Sequence, residues 1–180
     1  MRRVPTADDQ WPEWMAPDDV VRGVKAHYLE AIGWLHDSAV RSWSYQWEVA
    51  ARFLSGDRLK QHRDLLLELR AQGEPQVIGI LRAGHIVDVR HFSWDGERCL
   101  VIDRQTQRRM ATYHPATRER VHTQDLGSGI AVCAMVYHLE DRRWKIDAFI
   151  QDLPSGWSQR HMAIRIQEYP TLPNARWRDA

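Results

Sequence analysis

Apolar positions between residues 18 and 73 recur at steps of three and four, which is typical of amphipathic helices. Turn and capping residues divide this region into three predicted helices, over 18–37, 38–54 and 57–73. Gly56 and Gly73 supply the breaks that follow the second and third helices.

After residue 75 the pattern changes to short apolar runs separated by turn residues, which indicates strands. The predicted strands are 76–82, 85–94, 97–103, 108–113, 120–124 and a final hairpin over 129–153. Asp95-Gly96 is a favoured two-residue hairpin turn, and residues 114–119 predict another turn. The segment 127–129, Gly-Ser-Gly, is interpreted as a turn that precedes a strand.

The final hairpin has two apolar runs on either side of a charged cluster at residues 140–143. Its first run is apolar on both faces, as expected for an interior strand that is covered on two sides. Its second run alternates, which predicts one buried face and one wet face. The buried face carries Trp144, Ile146, Ala148 and Ile150, and the wet face carries Lys145, Asp147 and Gln151.

Helices followed by a block of strands favour an α+β fold with a mixed or antiparallel sheet, and argue against alternating βαβ units. The length of 180 residues suits one domain with a substantial core. We expect an irregular N-terminal arm over 1–19, a single domain over 20–153 and an irregular, mildly basic tail over 154–180. The tail can dock on its own domain or bind a partner.

Composition excludes several classes of protein. The 25 basic and 24 acidic residues nearly cancel, so no basic stripe favours nucleic-acid binding. Cys99 and Cys133 lie in predicted strands and are expected to be buried free thiols, since two distant cysteines form neither a disulfide framework nor a zinc site. No apolar run approaches the roughly 20 residues of a membrane span, and the N-terminus lacks the apolar middle of a secretory signal. We therefore expect a cytoplasmic protein with no membrane segment.

Three polar residues in predicted strands are candidates for acid–base chemistry. These are Asp88, Asp103 and His138, because burial of a carboxylate beside a tyrosine or histidine tunes it for proton transfer. For Asp88 the simpler interpretation is a surface ion pair with Arg90. Asp147 shares its face of the strand with Lys145 and Gln151, so it is expected on the wet face.

The nine histidines do not make a metal site. His85 and His91 are six residues apart, so they share a face but lie at opposite ends of a strand, and no third ligand stands at a recognised interval. His114 and His122 flank a turn and have an ordinary explanation as solvated hairpin residues. No metal and no cofactor is predicted.

Tryptophan is over-represented, with nine residues against five tyrosines and three phenylalanines. Those inside predicted elements are expected in the core or a pocket wall, and they are Trp34, Trp43, Trp47, Trp94 and Trp144. Those in the two terminal segments are candidates for an interface, because indole rings often anchor protein contacts. They are Trp11, Trp14, Trp157 and Trp177.

The order of elements, with LSGDRL at 54–59 opening the third helix and VYHLEDRRWKIDAF at 136–149 in the last hairpin, resembles the nuclear transport factor 2-like superfamily. The resemblance covers roughly residues 20–153. It implies a curved, mostly antiparallel sheet that forms a cone around the helices. Members include SnoaL-like cyclases, ketosteroid isomerases, limonene epoxide hydrolases and non-catalytic modules of transport, secretion and organelle division.

The resemblance leaves two functions open, since fold alone does not decide between them. The first is a non-catalytic interaction or assembly module, an accessory component of a larger bacterial complex. It binds a protein partner, or itself as a homodimer through its sheet face. The alternative is a small-molecule isomerase or hydratase that holds a small apolar ligand in the cone and uses Asp88, Asp103 or His138. An enzyme requires a closed cavity with at least two convergent ionisable groups. An interaction module is expected to show a filled or shallow cone and an exposed apolar patch that carries tryptophan.

Overall fold

A computed structural model describes residues 16–73, 78–93 and 95–150. Over these ranges three helices precede one curved, unclosed antiparallel sheet, which confirms the predicted α+β fold. The helices are α1 (Asp18–Asp37), α2 (Trp43–Phe53) and α3 (Gly56–Ala71). The strands are β1 (Ile78–Arg90), β2 (Arg98–Tyr113), β3 (Arg120–His138) and β4 (Arg143–Phe149).

The second helix begins later than its periodicity predicts. A single 3₁₀ turn, Ser38–Val40, follows α1, and the chain is then extended at Arg41 and Ser42. The Ser42 hydroxyl accepts a hydrogen bond from the backbone N–H of Tyr45 at 3.3 Å, which is an N-cap and sets the start of α2. The capping side chain therefore decides the boundary, and the apolar periodicity does not reveal it.

The predicted strands merge into fewer, longer ones. The runs 76–82 and 85–94 contribute to β1, which contains a register shift between Arg82 and Gly84. At Gly84 an added Cβ would meet the Thr106 hydroxyl at 2.7 Å, so a glycine permits this shift inside a continuous strand. Glycine here indicates a bulge rather than a strand end.

The turn predicted at residues 127–129 is wrong, because β3 runs through it. Gly127 has a φ of +65° and lies at a register shift opposite Arg108. Gly129 is buried, and a Cβ there would meet the Arg108 guanidinium at 2.8 Å. The two glycines thus supply backbone freedom at a bulge and space for a buried arginine. The turn predicted at 114–119 lies between β2 and β3, and the turn predicted at the charged cluster 140–143 is present one residue earlier, at 139–142, between β3 and β4.

The sheet order is β1-β2-β3-β4, with β3 in the interior as predicted. The helix-facing side carries the main core, which includes Tyr28, Ile32, Leu81, Val101, Cys133, Met135, Trp144 and Ile146. A smaller cluster of Ile102, Ile130 and Val132 lies on the opposite side of β2 and β3. Both thiols, Cys99 and Cys133, are buried and free.

Two polar residues of β4 that were predicted on a wet face instead contact helix ends. The Lys145 ammonium is buried, donates to the carbonyl of Ala51 in the last turn of α2 at 2.6 Å, and pairs with Asp141. The Asp147 carboxylate accepts from the Ser55 hydroxyl at 2.9 Å beside the first residue of α3. The positive charge of Lys145 lies at the C-terminal end of α2 and the negative charge of Asp147 at the N-terminal end of α3, which are the signs that the helix dipoles favour. These contacts fix the position of β4 relative to the two helices.

The terminal segments, 1–15 and 151–180, and five internal positions, 74–77 and 94, fall outside the described residues. Trp11, Trp14, Trp157, Trp177 and Trp94 are among them, so the predicted interface tryptophans stay predictions. Trp34 and Trp144 are buried in the core, as expected, whereas Trp43 and Trp47 are half-buried. Within the described ranges, no helix is both long and apolar enough to cross a bilayer.

Acid should destabilise the fold through its buried histidines. Burial, followed by the charges of Arg58 and Arg63, lowers the pKa of His62 to about 3. Burial, with His85 and Arg82 nearby, lowers the pKa of His36 to about 4. Because both values lie below the ordinary 6.5, the unfolded chain binds these protons first. Stability is therefore complete above about pH 6.5 and falls as the pH drops towards 4.

We expect the free energy of unfolding in urea to fall by several kcal/mol between pH 7 and pH 4, at about 1.4 kcal/mol per unit of pKa depression. The variant His62→Leu should show a shallower pH dependence, and the control His122→Leu, at an exposed position of β3, should keep the wild-type slope. An unchanged slope in His62→Leu would contradict this origin of acid sensitivity.

Candidate active site on the helix-facing side of the sheet

A fully buried carboxylate, Asp103, lies at the centre of the helix-facing side of β2. Residues Cys99, Val101, Asp103 and Gln105 alternate along β2 and are all buried, so this face changes from apolar to polar along the strand. An isolated charge in such a position is costly, and it is stable only where donors surround it.

Three polar groups from three elements converge on one oxygen of Asp103. Its Oδ2 atom accepts from the Tyr28 hydroxyl of α1 at 2.9 Å and from Nε2 of Gln105 at 2.9 Å. Nδ1 of His85, on β1, lies 2.7 Å from the same oxygen. An oxygen that accepts from both the Tyr28 hydroxyl and the Gln105 amide is typical of an ionised carboxylate.

The contact with Asp103 fixes the orientation and tautomer of the His85 ring. A neutral imidazole next to an ionised carboxylate must carry its proton on Nδ1, so Nε2 becomes the basic nitrogen. The His85 side chain is 17% exposed, whereas Asp103 is completely buried. The pair thus connects a buried anion to a ring that solvent or a ligand can reach, which is the arrangement of a general base and its orienting carboxylate.

A second histidine, His36 of α1, stacks beside His85 with ring centroids 6.1 Å apart and an interplanar angle of 29°. Burial lowers its pKa to about 4, so His36 is neutral at pH 7. Next to it on the surface, Asp37 pairs with Arg82 at 2.7 Å and joins α1 to β1. The neutral His36 ring therefore places no positive charge beside the His85 ring.

The remaining carboxyl oxygen, Oδ1 of Asp103, is buried and has no hydrogen-bond partner among the described residues. Beside the carboxylate lies the Cys133 thiol, whose pKa is raised by burial first and by the Asp103 charge second. A raised thiol pKa means that Cys133 stays protonated and is no nucleophile. The chemistry of this site is therefore that of oxygen and nitrogen acids and bases.

The other two candidates from the sequence do not join Asp103. Asp88 is opposite Ile102 in the β1–β2 register, on the outer face, and its carboxylate pairs with Arg104 at 3.2 Å. Asp88 therefore takes part in a surface ion pair whose recorded partner is Arg104, and the pairing expected with Arg90 stays a prediction. His138 ends β3 opposite Arg143, at the far end of the sheet from the polar zone.

His85, Tyr28 and Gln105 were not identified as site residues from the sequence. A signal existed, because Val89, Val87 and His85 alternate on β1 in the same way that Val101, Asp103 and Gln105 do on β2. Combining the two patterns into one site requires the register between β1 and β2, which places His85 opposite Gln105. Within the described parts of the chain, no group of three or more His, Cys, Asp or Glu residues is arranged to hold a metal ion.

Comparison with known proteins assigns neither a family nor a function to the chain. No protein-family model matches the sequence, and no curated protein matches it either.

The Tyr28 hydroxyl should contribute measurably to stability because it satisfies a buried charge. We expect Tyr28→Phe to lower the free energy of unfolding in urea by about 1–3 kcal/mol. Tyr45→Phe, at a position that is 40% exposed, is the matched control and should change it by less than about 0.5 kcal/mol. Equal effects of the two substitutions would show that the bond to Asp103 is energetically unimportant.

Proposed function

We propose that this protein is a small-molecule enzyme of the isomerase or hydratase type, in a nuclear transport factor 2-like fold, with His85 as its general base. The observation that supports this proposal is the 2.7 Å contact of His85 with the buried Asp103 carboxylate. The convergence of two ionisable groups on the inner face is the feature of an enzyme that supports this proposal.

In the proposed reaction, Nε2 of His85 accepts a proton from a carbon next to a carbonyl group, and the electron pair moves to the carbonyl oxygen. Asp103 stabilises the imidazolium that forms, since its carboxylate holds the Nδ1 proton. In an isomerisation, the electron pair returns from the oxygen through the conjugated double bond, and another carbon takes the proton from Nε2. In a dehydration, the electron pair forms a carbon–carbon double bond as the β-hydroxyl takes the Nε2 proton and leaves as water. Tyr28 and Gln105 act as positioning residues because each donates to Asp103.

The proton-transfer step can be tested without the natural substrate. The purified protein is incubated in D₂O with a panel of small cyclic and acyclic ketones, and deuterium at the α-carbon is followed by NMR. We expect exchange of at least one ketone to be faster than in buffer, and His85→Gln to reduce the added rate by about 10²–10⁴-fold. Asp103→Asn should reduce it as well, because the amide no longer fixes the tautomer.

Asp88→Asn is the control variant, since Asp88 lies on the outer face and pairs with Arg104. It should retain the wild-type rate. Absence of catalysed exchange across the panel, or equal rates in the wild type and His85→Gln, would contradict the enzyme proposal.

A second candidate is the interaction module, and a patch on α2 and α3 favours it. Trp43 and Trp47 stack with centroids 5.1 Å apart, and the guanidinium groups of Arg70 and Arg63 lie over their rings at 4.4 and 5.1 Å. Exposed apolar side chains on the same two helices and the turn before them are Val40, Tyr45 and Leu67. Tryptophan, tyrosine and arginine are the residues enriched at the centres of protein interfaces.

We infer a second copy of the chain as the partner for this patch, and sedimentation over a range of concentrations tests it. The wild type should form a dimer that the double variant Tyr45→Glu, Leu67→Glu weakens by at least about tenfold. Val121→Glu, on an exposed position of β3, is the matched control and should leave the dimer intact. A monomer at all concentrations would contradict self-association.

A further inference from the structure

An open cleft lies between the end of α2, the turn that follows β3 and the start of β4. Its volume is about 550 Å³, which is within the range of binding sites for small ligands. Its lining consists of Ala51, Arg52, Asp141, Arg143 and Lys145. β2 and β3 separate β4 from His85 on β1, so this cleft is distinct from the candidate active site.

Two of the three cations in the lining are fixed by the protein. The Lys145 ammonium is buried, and the structure records two acceptors for its three N–H groups, the Ala51 carbonyl and the Asp141 carboxylate. The Arg143 side chain is 12% exposed, and its Nη2 atom donates to Oε2 of Glu30. Cations that are already ordered lose little conformational freedom when an anion binds, so the cleft is preorganised.

The third cation, Arg52, meets Arg143 at the same carboxylate. Nη2 of Arg52 lies 3.4 Å from Oε1 of Glu30, and the guanidinium groups of both arginines lie over the Phe53 ring, at 5.5 and 5.3 Å. One carboxylate therefore bridges the two guanidinium groups, which is the way an anionic ligand would bind them. The Arg52 and Glu30 side chains are 60% and 45% exposed, and an exposed pair of this kind is weak enough for a ligand to displace.

The charge of the cleft favours an anion. Three positive side chains face two negative ones, Asp141 and Glu30, which leaves one positive charge in excess. His27 on α1 adds none at pH 7, because burial first and the Arg143 charge second lower its pKa. Nε of Arg143 is buried and has no hydrogen-bond partner among the described residues, so the acceptors around this guanidinium do not use all of its donors.

We propose that this cleft binds a small phosphate monoester, with its phosphate group between Arg52, Arg143 and Lys145. A phosphate monoester carries a charge of about −1.5 to −2 and three terminal oxygens, so it can contact all three cations, whereas a carboxylate carries one charge and two oxygens. Apart from Ala51 the lining is charged, which suits the polar body of such a ligand. This site lies outside the enzyme proposal and does not depend on it.

Calorimetric and NMR titration of the full-length protein with glycerol phosphate tests this site, and glycerol is the uncharged comparison. We expect saturable binding of one glycerol phosphate per chain, with shifts of the Nε–H signals of Arg52 and Arg143, and no shifts with glycerol. Arg52→Gln should raise the dissociation constant by about tenfold, since a charged hydrogen-bond donor is lost. Glu30→Gln should lower it by about two- to fivefold, because the ligand no longer competes with a carboxylate.

The matched controls are at Arg104 and Asp88, which form an exposed ion pair at 3.2 Å on the outer face. Arg104→Gln and Asp88→Asn change the total charge in the same way as the test variants, and each should leave the dissociation constant within about twofold of the wild type. Three results would overturn the proposal. The first is no saturable binding of glycerol phosphate, and the second is an equal effect of Arg52→Gln and Arg104→Gln, which would show a general charge effect. The third is an unchanged or raised dissociation constant in Glu30→Gln.

Discussion

The burial of one carboxylate, Asp103, constrains how the helices and strands of this protein can pack. A charge with no exposure to solvent must receive hydrogen bonds from the protein, and one oxygen receives them from Tyr28, His85 and Gln105. These residues lie on α1, β1 and β2. A slip of one residue between β1 and β2 would turn His85 to the outer face and leave the charge without that donor. The docking of α1 is set by the same oxygen.

The β4 edge of the sheet is held by charged side chains that contact helix ends. Lys145 meets the carbonyl end of α2, and Asp147 meets the first turn of α3 through Ser55. The backbone N–H of Ser55 also donates to the carbonyl of Ile146 at 2.9 Å, so the link between the two helices covers the outer edge of β4. Three short polar contacts thus close one edge of the sheet.

The sequence predicted the α+β order, the three helices and the interior position of β3, because hydrophobic periodicity and turn residues are local signals. It did not predict that strands pass through Gly84 and Gly127, since a glycine has the same appearance at a bulge and at a turn. For the site, position in predicted strands made Asp103 one of three candidates with Asp88 and His138, but the partners of Asp103 depend on register and helix docking. Such long-range contacts join residues far apart in sequence, as Tyr28 and Asp103 are, and periodicity carries no information about them.

The polar cluster and the apolar surface patch support different functions, and the orientation of one ring distinguishes a base from a structural histidine. Long-range ¹⁵N–¹H NMR of the histidine rings, at a pH where His85 is neutral, reports which nitrogen carries the proton. We expect the proton on Nδ1, in the hydrogen bond to Asp103, with Nε2 unprotonated, and we expect this preference to be lost in Asp103→Asn. A proton on Nε2 in the wild type, or an equal mixture of tautomers in both proteins, would contradict a general-base role for His85.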